Sequence, residues 1–590
     1  MIKEIDIEQL KREYKNRFSE SWIANKDWNP ANEKNSYSEC KKLIDDYSEL
    51  LFVIFSYSIL GGEFIIKKDK IEGTIKYLLN ITTKEYGSPI ATASALEAEI
   101  IDEFDILNKN IKLACLAYRS IITTYPLHYN TTINNYRFQI YQAEKLKWHN
   151  KIYYFNKFIV NVCRFDLYFV NNDDLLDNLI ILNKEISDIE EKETSEDIKN
   201  VFNICTEKIN LLIKKLLTYS GPSIFSINFT EYQLTYQDVK LKYFDPIWKQ
   251  YELFSAINNV TSLSDNPLIK KYESNSFQDK STFSELILLM RAYCKDPKSS
   301  KEQIRNIFSE FNKKYNSYYK KGLLLDFDRN ALDSMKNVVY NCRFSYYLQQ
   351  KDYTIKRLKK DMEKIESFQC HTGAHNYFHF QIAIEYLLKK AKEKVSLKNL
   401  REIKELLNNY IEGYKRTINQ CQKDMFYPLQ LMFDECLFYI KDLDKTVFIA
   451  SSFSQPANYK LLKEKADDYR IGLFQIENKL DLLEEQETID ELKNNLEATT
   501  SKYIEIGGIF VAVLSLLFSV VSFTDTRMDI KDITLHSLGM SYILLIFISC
   551  IYVLTLKKDS KISDYFKTFR FWFFFVLFIL SIIFLYFIIM

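Results

Sequence analysis

The amino-acid sequence predicts an all-α protein on three observations. Glycine and proline number only 12 and 9 among 590 residues, and these are the residues that open tight turns and break helices. Apolar residues recur at intervals of three and four over long segments. Strict alternation, the mark of a half-buried strand, is confined to short runs such as 223–229, SIFSINF. The expected architecture is a helical-repeat domain in two halves, 1–255 and 282–455, separated by an Asn/Ser/Asp-rich loop at 256–281. An amphipathic stalk helix over 456–503 and a membrane domain over 504–590 follow.

In the first half, Ile198, Phe202, Cys205, Ile209, Leu212 and Leu216 form one apolar stripe. Thr194-x-x-Asp197 fits a capping box before it, and Gly221-Pro222 stops it. In the second half, Leu400, Ile403, Leu407, Tyr410, Tyr414 and Ile418 keep the same spacing after Ser396, an expected N-cap. In the stalk, Leu473, Ile476, Leu480 and Leu483 follow coiled-coil spacing. So do Leu492, Leu496, Thr499 and Tyr503 after a slip in phase.

A short internal echo points to repeats. Cys163-Arg164-Phe165-x-x-Tyr168-Phe169-x-x-x-Asp173 matches Cys342-Arg343-Phe344-x-x-Tyr347-Leu348-x-x-x-Asp352, and Arg137-Phe138-x-x-Tyr141 is a weaker copy. Such self-similarity suggests stacked helix pairs. Here the chain resembles the tetratricopeptide family. Residues 341–353 look like a first helix and turn ending in Asp352-Tyr353, and Ala114, Ala117, Tyr118 and Tyr125-Pro126 look like a second helix and its junction. Larger residues replace most of the family's small positions. The resemblance implies a concave surface for a peptide or protein partner and brings no catalytic residues.

Three apolar runs close the chain, at 506–523, 538–556 and 571–590, each uncharged and near the ~20 residues that cross a bilayer as a helix. Lys557, Lys558, Lys561, Lys567 and Arg570 outnumber Arg527 and Lys531 in the intervening loops. The positive-inside rule then puts the N-terminal domain in the cytoplasm and Met590 outside, at a bacterial inner membrane. The charged N-terminus, without an apolar core, does not read as a secretory signal. Gly508, Ala512, Ser515, Ser519 and Ser522 share one face of the first run, where small residues favour close helix packing and self-association.

Charge is balanced, 79 Lys+Arg against 78 Asp+Glu, which argues against nucleic acid as a partner. The ten cysteines are scattered singly and read as small buried apolar residues. No phosphate-cradling glycine loop, GxSxG or HExxH occurs, so no catalytic residue and no organic cofactor is expected. His371, His375 and His379 form the one candidate metal set, for zinc, with Cys370 or Glu385 as a further ligand. The alternative reading is a helix start with histidines packed among Tyr377 and Phe378.

The architecture as a whole resembles the membrane effectors of bacterial anti-phage defence. It implies a cytosolic sensor of a protein or infection signal, and spans that associate in the lipid bilayer as a homo-oligomer. The alternatives are a tethered protein-binding scaffold and a metal-dependent enzyme at the three histidines.

Overall fold

The computed structural model describes residues 6–19, 21–82, 94–124, 151–167, 169, 175–220, 223–227, 230–255, 266–277, 280–296, 299–320, 326–350, 352–393, 395–423, 437–454, 457–523, 529–539, 541, 542 and isolated positions between 572 and 587. Their backbone is mostly helical. Two compact units are distinguished: Met1–Val395 with Glu402–Phe474, and Ser396–Arg401 with Gln475–Met590. The two expected repeat halves thus belong to the same unit.

The chain begins with α1 (Glu8–Arg17), α2 (Glu33–Leu60), the short α3 (Glu63–Ile66), α4 (Lys68–Ile81) and α5 (Ala95–Thr124). Helix α2 packs on α1 and α5. Tyr14 and Tyr47 are buried there, and each hydroxyl finds an acceptor, Asn108 Oδ1 at 2.8 Å and the Leu10 carbonyl at 3.1 Å. Helices α6 (Lys151–Tyr154) and α7 (Val160–Leu167) flank one π-helical turn, and α8 (Leu175–Glu190) pairs with α9 (Glu196–Ser220). The stripe predicted on α9 is fully buried from Ile198 to Leu216. Each such leucine contributes about 1.5–3 kcal/mol of apolar burial.

The alternating run at 223–229 does form a strand, β1 (Ser223–Ile227). It pairs antiparallel with β2 (Thr230–Leu234) in the register Ile227↔Thr230. The expected loop at 256–281 is only partly described. Its residues 267–277 are helix α11 (Pro267–Phe277), which follows α10 (Asp245–Ser255).

Next come α12 (Phe283–Lys295), α13 (Lys301–Lys320), α14 (Asp326–Leu348), α15 (Ile355–Thr372), α16 (Phe378–Lys392) and α17 (Leu397–Lys423). Short connections make these helices packing neighbours: α12 with α13 and α14, α14 with α15 and α16. Local chemistry fixes their ends. Thr282 and Glu285 close a capping box on α12, Thr354 caps α15, and Ser396 Oγ accepts from Asn399 N on α17 as the sequence predicted. Gly373 ends α15 at φ 74°, a left-handed conformation that suits glycine. A Cβ at Gly413 of α17 would overlap the ring of Phe380 on α16, and one at Gly472 would come within 2.8 Å of Leu388 Cδ2.

A second hairpin was not legible: β3 (Leu437–Ile440) and β4 (Lys445–Phe448) pair antiparallel, Leu437 opposite Phe448. The segment after β4 carries a closed polar cluster. The buried Asp166 carboxylate accepts from Ala450 N (3.0 Å), Ser451 N (3.0 Å), Ser451 Oγ (2.6 Å) and Lys208 Nζ (2.9 Å). Lys208 also donates to the Phe448 carbonyl at 2.7 Å. Lys215 donates to the carbonyls of Ser451 and Ser452 and lies 4.3 Å from the Tyr251 ring centre. Burial pulls Lys208 down, but Asp166 more than offsets this and raises it. Lys215 has less compensation, and burial brings it to about 7.

Helix α18 (Tyr459–Phe523) runs through the expected stalk into the first apolar run. Ile476 and Leu480 are buried, whereas Leu482, Ile489, Leu496 and Tyr503 are exposed at intervals of seven. Within the second unit Arg401 pairs with Glu484 at 2.8 Å.

The membrane reading is corrected here. Among the described residues, no helix is long and apolar enough to cross a membrane. Run 506–523 is the tail of a 65-residue helix that is charged over most of its length. Three transmembrane helices, a multi-pass location and a topology with Met590 outside are therefore not supported. On that tail Gly508 is buried and Ala512 and Ser515 are half-buried, while the side chains of Ser519 and Ser522 lie outside the described residues. Most of 538–556 and 571–590 lies outside them too.

Candidate functional site

The site is a cleft of about 440 Å³ in the larger unit, within the ~300–1,000 Å³ typical of small-ligand sites. Helices α12 and α14 build one side. Residues of the 373–377 connection, the start of α16, Tyr219 of α9, Phe254 of α10, Phe453, Ala457, Asn458 and the start of α18 build the rest.

Helix α12 contributes the cations. With its N-terminus fixed by the capping box, Arg291 and Lys295 fall one turn apart on the face that reaches the cleft. The Arg291 guanidinium lies 4.3 Å from the Phe254 ring centre, a cation–π contact that orients it. Its Nε is buried and has no hydrogen-bond partner among the described residues. Lys295 is exposed at the rim, 3.5 Å from the Ser255 carbonyl. Partial desolvation and then Arg291 hold its ammonium below the ordinary lysine value. Among the described residues that line the cleft there is no Asp or Glu, so its local charge is positive.

Helix α14 contributes amides. Ser334, Asn337, Asn341 and Ser345 recur at three and four and form a polar stripe on a helix face otherwise lined by Val338 and Cys342. Asn337 is 2% exposed and Asn341 7%. Asn337 Nδ2 donates to the Ala374 carbonyl, but Asn337 Oδ1 and both amide atoms of Asn341 have no partner among the described residues. A buried polar atom left unpaired costs about 1–3 kcal/mol.

The 373–377 connection is held in place by Gln369. Its Oε1 accepts from Asn376 N at 3.0 Å, and its Nε2 lies 3.3 Å from His379 Nδ1. Since that Gln369 nitrogen must donate, His379 Nδ1 is the acceptor and the ring proton sits on Nε2. Burial takes His379 down to about 3, so its imidazole is neutral.

The three histidines expected to bind zinc are thereby separated in role. His371 is exposed on the last turn of α15, His375 lines the cleft from the connection, and His379 is inside the protein on α16. The expected one-turn spacing of His375 and His379 does not arise, because Gly373 ends one helix and the next begins only at Phe378. Cys370 is exposed and Glu385 accepts from Tyr469 at 2.9 Å. Among the described residues no three His, Cys, Asp or Glu side chains are placed to hold a metal ion.

Arg291, Lys295, Asn337 and Asn341 were missed at the level of sequence. The usable signal was a polar stripe, Ser334, Asn337, Asn341 and Ser345, at helical spacing. No protein-family model, curated protein or solved structure matches the chain.

Proposed function

We propose that the larger unit is a helical receptor for a small organic anion, bound in the cleft between α12 and α14. The observation that carries this reading is Asn341. It is buried, and among the described residues neither of its amide atoms has a partner and the cavity it lines has two cationic side chains and no carboxylate. Arg291 and Lys295 supply charge, and Asn337 and Asn341 supply orientation. Binding without chemistry fits a site that offers no nucleophile–base pair. The cysteine thiols at the wall, Cys294 and Cys342, are both pushed up by burial and are poor nucleophiles.

The framework is read as an irregular tetratricopeptide-like stack. Support comes from the packing of α14 with its sequence neighbours and from the Asp352-Tyr353 turn, where Asp352 pairs with Lys301 at 3.2 Å and the Tyr353 carbonyl accepts from Tyr386 at 3.0 Å. A receptor of this kind is a sensor whose output depends on occupancy.

The test is a thermal-shift titration of the full-length chain against phosphorylated and carboxylated metabolites at low salt. Saturable stabilisation by at least one anion, removed by Arg291→Met, is expected. No shift with any of them, in protein that melts cooperatively, rejects the receptor reading.

A further inference from the structure

We infer that the anion this cleft takes is a nucleotide, with its phosphate at Arg291 and Lys295 and its base against Asn337 and Asn341. This rests on the receptor reading above and narrows it to a ligand class.

The chemistry of the unpaired atoms narrows the choice. A simple carboxylate offers only acceptors. It would satisfy Arg291 Nε, the Lys295 ammonium and Asn341 Nδ2, yet leave Asn337 Oδ1 and Asn341 Oδ1 buried and unpaired. The ligand therefore carries N–H or O–H donors as well as its charge. A carboxamide presents a donor and an acceptor side by side, the arrangement that pairs with the mixed donor–acceptor edge of a nucleobase, adenine above all. Two carboxamides one helical turn apart give such an edge a ladder to read.

The remaining wall fits a flat ring. Tyr377 and Phe453 are buried aromatic residues that line the cleft beside Phe254, whose ring carries Arg291, and aromatic faces hold bases by stacking. A sugar phosphate would meet the cations equally well but would leave these faces without a matching surface. The cations and the carboxamides also come from different helices, α12 and α14, which suits a ligand whose charged and planar parts are distinct groups.

The experiment uses the full-length chain and isothermal titration calorimetry at fixed pH and salt. The probes are the four nucleoside 5′-monophosphates, adenosine, ribose 5-phosphate and inorganic phosphate. At least one nucleoside monophosphate should bind ten-fold or more tighter than ribose 5-phosphate. Arg291→Met should weaken the monophosphate and ribose 5-phosphate ten-fold or more and leave adenosine unchanged. Asn341→Leu should do the reverse, weakening the monophosphate and adenosine but not ribose 5-phosphate. The wild-type preference decides the matter even where a variant fails to fold. Equal binding of ribose 5-phosphate and every monophosphate overturns the nucleotide assignment while the anion receptor stands. Binding of none of the probes, with a carboxylated metabolite still stabilising the fold, overturns it too. No response to any anion removes both readings.

Discussion

Two buried polar clusters sit in the same unit, and they differ in one respect. Around Asp166 the carboxylate has four donors and Lys208 and Lys215 each reach acceptors. Around Asn341 the amide atoms have no partner among the described residues. Burial alone does not separate them, since both are almost fully removed from solvent. Completion does. The charged groups of the first network are paired within the chain and hold α7 and α9 to the segment after β4, although Ser452 Oγ there has no partner among the described residues. A network left open keeps its polar groups for something else.

The largest expected effect that sharpens this comparison is at Asp166. Asp166→Leu leaves Lys208 as a buried charge without its counterion and strips acceptors from Ala450 N and Ser451 N. A loss of about 3–5 kcal/mol is expected, read from urea unfolding midpoints at constant slope. A loss below about 1 kcal/mol would mean that the cluster is wetter than it looks.

At the open cluster the sign reverses. Asn341→Leu removes unpaired buried groups and substitutes apolar volume, so ligand-free stability should hold or rise by up to about 1 kcal/mol. Destabilisation of several kcal/mol would show that Asn341 already has a structural partner, and the contrast between the two clusters would collapse.

The smallest effect is in pH. Lys215 titrates near 7 when folded, against an ordinary 10.5. Between those values the unfolded chain holds the proton and the folded one does not, so stability should rise with pH from about 7 toward 10. Below about 7 both states hold the proton, so this contribution levels off there at its lowest value. Lys215→Met should flatten this slope, measured as melting temperature against pH. An unchanged slope would assign the dependence to other groups.

The helices were legible because their cause is local. Ser396 and Gly221-Pro222 mark ends, and the stripes from Ile198 to Leu216 and Leu400 to Ile418 mark buried faces. The cleft was not, because Arg291 and Asn341 are distant in sequence and meet only through the packing of α12 on α14. The buried lysines were hidden by composition, since a lysine in a helix is ordinarily a solvated one. Three like residues in a short span suggest one site, whereas a left-handed glycine at 373 separates His371, His375 and His379 into three environments. At the C-terminal end, apolar content by itself suggested spans. That the stalk helix runs on into 506–523 was legible, since no proline interrupts it and no glycine lies between Gly472 and Gly507.

The close contacts of Gly413 with Phe380 and of Gly472 with Leu388 bear on inheritance. Neither glycine can gain a methyl group unless its neighbour gives way, so each pair is free to vary only jointly. In descendants of this sequence, an alanine at 413 should arrive with a smaller residue than phenylalanine at 380, and any residue larger than glycine at 472 with a shorter one at 388. Two such coupled pairs form a signature that survives drift at every other position, and by it a distant relative of this chain can be recognised.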